Sequence, residues 1–387
     1  MNMNLKLRVT AWACCCLVMV ACEKETTPKP EPIAPILKEI IIPSQSEVMP
    51  GQDVVIRGKG FSKADRLYLE NIEGSFEATV KEVTDDFIRF ALPADAGGNY
   101  KIKVERAEKT TVLDGELIVP FVVVLEDVEL PGESVARLAE VNIKGKGFEQ
   151  GDVIELSAGF YPQGKVFEII GEVIGEEIRF ALPEGVYGEN EVAVVRGNRR
   201  TNLGKIGVAV HVGDELGGGV VFWTDQSGIH GLICNKTNIG TPTEPFGPGV
   251  VLTQAAGTTR TLGQGRTNTE RLLTHISAFR QNNTSWDDKK TAAEWCDQLK
   301  VTVGNDVYED WFLPSLDELI ELFNVKGLLA QKGAAMPANN YWTSTEGDGD
   351  AAGWSAYYVN FYEATNLVYG YVDKEGWKIG IRAIRSF

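Results

Sequence analysis

The chain has 387 residues, a length that favours several domains over one. Hydrophobic residues make up 43% and charged residues 24%, the balance of folded, soluble material. A formal net charge of −16 with no dense run of Lys and Arg argues against a nucleic-acid partner, because a phosphate-binding surface needs clustered cations.

Lys6 and Arg8 precede an apolar stretch at 11–21, which suits a signal-peptide core and is too short to span a bilayer. It ends in Leu17-Val18-Met19-Val20-Ala21-Cys22, which resembles the lipobox of bacterial lipoproteins. The resemblance implies that residues 1–21 are removed and that the Cys22 thiol is acylated, anchoring the chain to the outer membrane. Residues 22–33 are rich in Pro, Glu, Lys and Thr, cannot form a core, and read as an extended tether. Their acidic start, Glu23-Lys24-Glu25, resembles signals that send lipoproteins to the cell surface.

Two similar units follow. VVIRGKGF at 54–61 answers VNIKGKGF at 141–148, an offset of 87 residues. IRFALP occurs at 88–93 and again at 178–183, an offset of 90, so the second unit carries three extra residues between the two motifs. NYKIKV at 99–104 answers NEVAV at 190–194. Matched blocks in one order describe a duplicated domain. Each block alternates apolar and polar residues, with Gly and Pro between, as short strands of an all-β sandwich do. In IRFALP the Ile and Phe face the core and the Pro closes the strand. The stretch from Gly51 to Phe61 resembles the IPT/TIG family of immunoglobulin-like domains, and the second copy keeps Ile143, Gly145, Gly147 and Phe148. The resemblance implies spacer or interaction modules at 34–121 and 122–210.

From His211 the pattern changes. VVFW and IHGLIC flank a DQSG turn and read as a hairpin, and 235–267 reads as a long irregular loop, a place where function concentrates. Helices are predicted at 269–280 and 285–300, and a third after Ser315-Leu316-Asp317-Glu318, a capping box. Strands are predicted at 354–362, 367–372 and 377–384. In the first, Tyr357, Val359 and Phe361 form the core face, and Trp354, Tyr358, Asn360 and Tyr362 the other.

GDELGGGVVFWTDQSGIHGLI, AAEWCDQL, WFLPSLDEL, YWTSTE and IRAIRSF, in this order, resemble the Lcl C-terminal domain family, named for a collagen-like bacterial adhesin. The resemblance covers 211–387 and implies an α+β fold related to C-type lectins, with first and last strands paired and a role in adhesion. It also implies a sulfated polysaccharide ligand, but this region holds 14 basic against 21 acidic residues. A polyanion needs basic density, so a neutral glycan or a protein receptor fits better. The fold class is therefore multidomain: two all-β immunoglobulin-like sandwiches followed by an α+β C-type-lectin-like domain.

The candidate sites are few. Trp354, Tyr358, Asn360 and Tyr362 offer flat rings and an amide to a sugar, or else lie under a helix or loop. Glu346, Asp348 and Asp350 on a Gly-rich turn offer oxygen ligands to Ca²⁺, or else form a solvated acidic turn; no other cofactor is implied. Cys234 and Cys296 either pair in an oxidising compartment or remain core thiols. His211, His230 and His275 lie in no metal-ligand spacing, and no nucleophile motif is present, so no enzyme is expected. The expected function is adhesion or glycan capture at the cell surface. The alternative is an assembly lipoprotein whose terminal domain binds a partner protein or a second copy.

Overall fold

The structure is a computed structural model that describes residues 34–387 except 73, 163, 241–243, 249–255, 363–364 and 378. The expected signal peptide, the tether and Cys22 lie outside the described residues. No helix among the described residues is long and apolar enough to cross a membrane. Contacts divide the chain into two compact units, Met1–Pro120 and Phe121–Phe387.

The first unit is an immunoglobulin-like sandwich. Its strands are β1 (Lys38–Ile41), β2 (Asp53–Lys59), β3 (Arg66–Asn71), β4 (Gly74–Val83), β5 (Phe87–Ala91), β6 (Gly98–Arg106) and β7 (Lys109–Val119). They pair in the order β1-β2-β5-β4-β3-β6-β7, all antiparallel. β4 turns the corner between the two layers: Gly74–Ala78 pairs with β3 and Thr79–Val83 with β5. Alternation decides the core. Val54 and Ile56 of β2, Ile88 and Phe90 of β5, Leu67 and Leu69 of β3, and Ile102 and Val104 of β6 are all buried together.

The second unit begins with another sandwich, built from β8 (Glu126–Glu129), β9 (Val135–Ala136), β10 (Glu140–Lys146), β11 (Val153–Ser157), β12 (Phe167–Ile170), β13 (Glu172–Ile174), β14 (Glu177–Ala181), β15 (Gly188–Arg196) and β16 (Arg199–Ala209). Its layers run β13-β14-β10-β8 and β12-β11-β15-β16-β9, the corner strand being broken at Gly171. Ile178 and Phe180 are buried as Ile88 and Phe90 are.

Both sandwiches carry a lock that the repeated words did not reveal. Arg106 donates to Asp65 at 2.6 and 2.9 Å and to the Gly60 carbonyl at 2.8 Å. Arg196 donates to Asp152 at 2.7 and 2.8 Å and to the Gly147 carbonyl at 2.7 Å. Gly60 and Gly147 sit at φ +93° and +92°, and a Cβ there would run into the carbonyls of Ile36 and Val124. The GKGF turn is therefore a backbone acceptor held by an arginine that lies 46 residues away in sequence in the first sandwich and 49 in the second.

The rest of the second unit contains β17 (Glu215–Leu216), β18 (Gly219–Thr224), β19 (Gly231–Asn235), α1 (Gly265–Arg280), α2 (Ala292–Asp297), β20 (Val301–Val303), β21 (Asp306–Tyr308), α3 (Leu316–Asn324), α4 (Lys326–Gln331), β22 (Asn340–Glu346), β23 (Ser355–Asn360), β24 (Val368–Asp373) and β25 (Ile384–Ser386). The sheets run β17-β18-β19-β25 and β22-β23-β24, with β20-β21 a separate hairpin. β19 pairs with the terminal β25, so an early and the last strand of the region meet. Ser315 caps α3 through the expected box: its Oγ accepts from Glu318 N at 3.3 Å, and Glu318 accepts from Ser315 N at 2.7 Å. Three expectations shift. α2 is a six-residue helix starting after Thr291, α4 was not foreseen, and 377–384 contributes bridges at Gly380 and Ile381 before the short β25, which starts at Ile384.

The expected boundary at 210 lies inside one core. Tyr161, Tyr187 and Val210 are buried with Val221, Ile233, Trp311 and Phe387 in one cluster. Arg385, 1% exposed, donates to Asp310 at 2.7 Å, to the Tyr187 hydroxyl at 3.1 Å, to the Gly217 carbonyl at 3.2 Å and to the Phe160 carbonyl. Phe160 and Tyr161 belong to the β11–β12 loop, where the second sandwich holds its three extra residues. The insertion is the docking element.

Candidate functional site

β22 and β23 are covered on both faces. Tyr341, Tyr357, Val359 and Phe361 pack on the α3 side with Phe323, as the alternation predicts. Trp342 and Ala356 face the other way, into a cluster with Leu272, Phe246 and Ile379, and Tyr358 packs against it. The face expected as a sugar platform is thus largely occupied. Tyr358 and Asn360 are half-buried, while Trp354 and Tyr362 are exposed at opposite ends of β23, outside the strand. The four candidates do not form one surface.

The exposed rings gather elsewhere. Among the described residues β24 is an edge strand, last in the order β22-β23-β24. Tyr369 and Tyr371, opposite Val359 and Tyr357, are 44% and 46% exposed. Tyr371 meets Tyr357 edge-on at 5.6 Å between ring centres and Trp354 at 6.3 Å; Tyr369 meets Tyr357 at 6.3 Å. The guanidinium of Arg260, from the long loop before α1, lies 5.9 Å from the Tyr357 ring centre and 5.8 Å from that of Tyr369. The result is a ledge of Trp354, Tyr371 and Tyr369 with Arg260 at its side. Sequence reading named Trp354 but missed Tyr369, Tyr371 and Arg260.

The three carboxylates of the calcium expectation stand in different surroundings. The Glu346 carboxylate is buried and accepts from Lys374 Nζ at 2.8 Å and from Ala256 and Gly257 N at 3.1 Å each. Asp348 stays at the surface and accepts from the Tyr357 hydroxyl at 2.5 Å. Burial, reinforced by Asp348, pushes the Tyr357 phenol up to about 12. Asp350 is exposed in the next turn. A buried ammonium takes the place a metal would need at Glu346, and no group of three potential ligands converges among the described residues.

Cys234 and Cys296 are both free and buried, in different clusters, the core-thiol alternative rather than the pair. Burial pushes the Cys234 thiol up to about 11 and the Cys296 thiol well up too, so neither is activated. His211 and His230 are exposed, and His275 is partly buried on α1.

No family model matches the chain, and no curated protein matches it. Solved structures overlap it in part. SGBP-B of the mixed-linkage glucan utilization locus of Bacteroides ovatus, in complex with a mixed-linkage heptasaccharide, is 12% identical over 48% of this chain and 46% of that one, with a TM-score of 0.21. SGBP-B from a complex xyloglucan utilization locus of Bacteroides uniformis is 15% identical over 52% and 56%, with a TM-score of 0.18. A tandem pair of titin Ig domains is 9% identical over 42% and 90%, with a TM-score of 0.17. The chain thus spans about half the length of the two Bacteroides proteins. Its own strand order makes it a mostly β, multidomain protein with immunoglobulin-like sandwiches and a terminal region of helices and strands.

Proposed function

We propose that this chain is a lipid-anchored protein of the bacterial cell surface whose C-type-lectin-like terminal region captures a glycan. In this reading Cys22 carries the anchor, residues 22–33 are the tether, and the two IPT/TIG-like sandwiches are spacers. The observation that carries it is the ledge of Trp354, Tyr371 and Tyr369, three rings half open to solvent on a rigid sheet. Flat aromatic surfaces match the C–H faces of sugar rings and have few rotamers to freeze on binding. Arg260 and Asp348 beside them supply hydrogen-bond donors and acceptors for hydroxyl groups. One cation among Asp317, Asp348 and Asp350 favours a neutral or weakly charged sugar over a sulfated polymer. A glycan array probed with residues 34–387 tests the reading: neutral oligosaccharides are expected to bind and the 34–120 sandwich alone to bind none. Array silence, or signal only from sulfated chains, would reject it.

One observation favours the second reading, an assembly module that binds protein. β24 is a sheet edge, and an exposed edge offers a partner strand its unpaired backbone groups. Capture of a protein ligand that Gly370→Pro in β24 abolishes, with an empty glycan array, would support it.

A further inference from the structure

We propose that the buried Lys374–Glu346 ion pair is the positioning device of the ledge, fixing at once the turn that presents Trp354 and the segment that presents Arg260. The proposal rests on the ledge as the binding site, and its test reads ring position separately from ligand affinity.

Lys374 follows directly on β24. Its ammonium has three N–H donors and uses all of them: Glu346 Oε1 at 2.8 Å, the Ala352 carbonyl at 2.9 Å and the Gly353 carbonyl at 3.2 Å. Its backbone N–H donates to the Trp354 carbonyl at 3.1 Å. One residue therefore holds three consecutive carbonyls, the last that of Trp354 itself.

Glu346 does the same for the other half. Besides Lys374, its carboxylate accepts from Ala256 N, Gly257 N and the Thr258 hydroxyl, and its own N–H donates to that hydroxyl at 2.8 Å. Thr259 is clamped next, donating to Asn268 Oδ1 at 2.9 Å and accepting from Asn268 Nδ2 at 2.6 Å. Arg260 follows, with its carbonyl held by Asp317 N at 3.0 Å. The guanidinium thus leaves a backbone that the ion pair has already oriented.

Both side chains are nearly inaccessible, 2% and 3% exposed. An ion pair this buried adds little net stability over a well-packed apolar pair, because desolvation offsets the attraction. An apolar pair, however, would leave two carbonyls and two amides without partners. Orientation is what this pair supplies and an apolar pair would not.

The experiment uses residues 34–387 labelled with 5-fluorotryptophan, the Trp354 line being assigned with Trp354→Phe. In Lys374→Met and in Glu346→Gln the Trp354 fluorine line is expected to shift or broaden while the Trp223 line stays. Affinity for cellohexaose, xylohexaose or maltohexaose, whichever the wild type binds, is expected to fall about tenfold. Trp354→Ala is expected to cost far less on the Lys374→Met background than on the wild type. An unmoved Trp354 line in either folded variant overturns the proposal. A moved line in a protein that binds none of the hexasaccharides upholds the positioning and rejects the glycan reading instead. If neither variant folds, hydrogen exchange of the wild type decides: protection of the Ala256 and Gly257 amides like that of β22 supports the clamp, and open-loop rates overturn it.

Discussion

At the level of single residues, the buried Lys374 and Glu346 of the second unit are paired with each other. His275 lies beside the Lys374–Glu346 pair, and burial holds its imidazole below the usual histidine value, with Lys374 pushing the same way and Glu346 opposing. The unfolded chain then binds more protons than the folded one between the folded pKa and the unfolded value of about 6.5. Stability present above that value is lost as pH falls through the folded pKa. Melting temperature measured from pH 7.5 down to 5 is expected to drop more for the wild type than for His275→Gln; parallel curves would contradict this. The two thiols make a second prediction. Neither Cys234 nor Cys296 is expected to react with iodoacetamide in the folded protein, and both are expected to react in strong denaturant without reductant. A requirement for reductant would restore the disulfide.

At the level of elements, the paired locks of the sandwiches are the clearest stabilising devices. The Asp65 side chain is fully buried and Arg106 only 29% exposed, so Asp65→Ala strands a guanidinium and the Ser62 N–H. A loss of roughly 3 kcal/mol is expected from the first sandwich, with Asp152→Ala doing the same to the second, as read by denaturant unfolding. Losses below about 1 kcal/mol would make the locks surface ion pairs in effect. The strands of both sandwiches were legible because alternation is local: IRFALP names its own buried positions, and Ile88, Phe90, Ile178 and Phe180 occupy them. The capping box at Ser315 was legible for the same reason. The locks were not, because Asp65 and Arg106 are 41 residues apart and no local pattern joins them. The ledge failed differently. Which face of β23 and β24 stays open depends on where α1, α3 and the 246 segment pack, and which strand ends the sheet is a matter of topology. LVYGYV read correctly as a strand, yet nothing in it announces an edge.

On the scale of the whole molecule, the sequence divides three ways and the packing two ways. Val210 is buried and its N–H donates to the Gly228 carbonyl at 2.9 Å, so the segment expected as a linker is part of a core. Limited proteolysis is expected to cut near 120 and to spare 210, and calorimetry to show two transitions, one of them 121–387 unfolding together. Arg385→Met removes the bonds to Asp310, Tyr187 and Phe160 at once and is expected to open 210 to protease; unchanged resistance would show that the aromatic contacts suffice.

The central claim is that the ledge of Trp354, Tyr369 and Tyr371 captures sugar, and isothermal titration of residues 34–387 with the best neutral oligosaccharide from the array tests it most directly. Saturable binding with weak salt dependence is predicted, because screening acts mainly on charge-driven contacts. Trp354→Ala or Tyr371→Ala is predicted to weaken it by about 2 kcal/mol each, with Tyr362→Ala at the far end of β23 leaving it unchanged. Wild-type affinity in folded Trp354→Ala and Tyr371→Ala proteins would contradict the account.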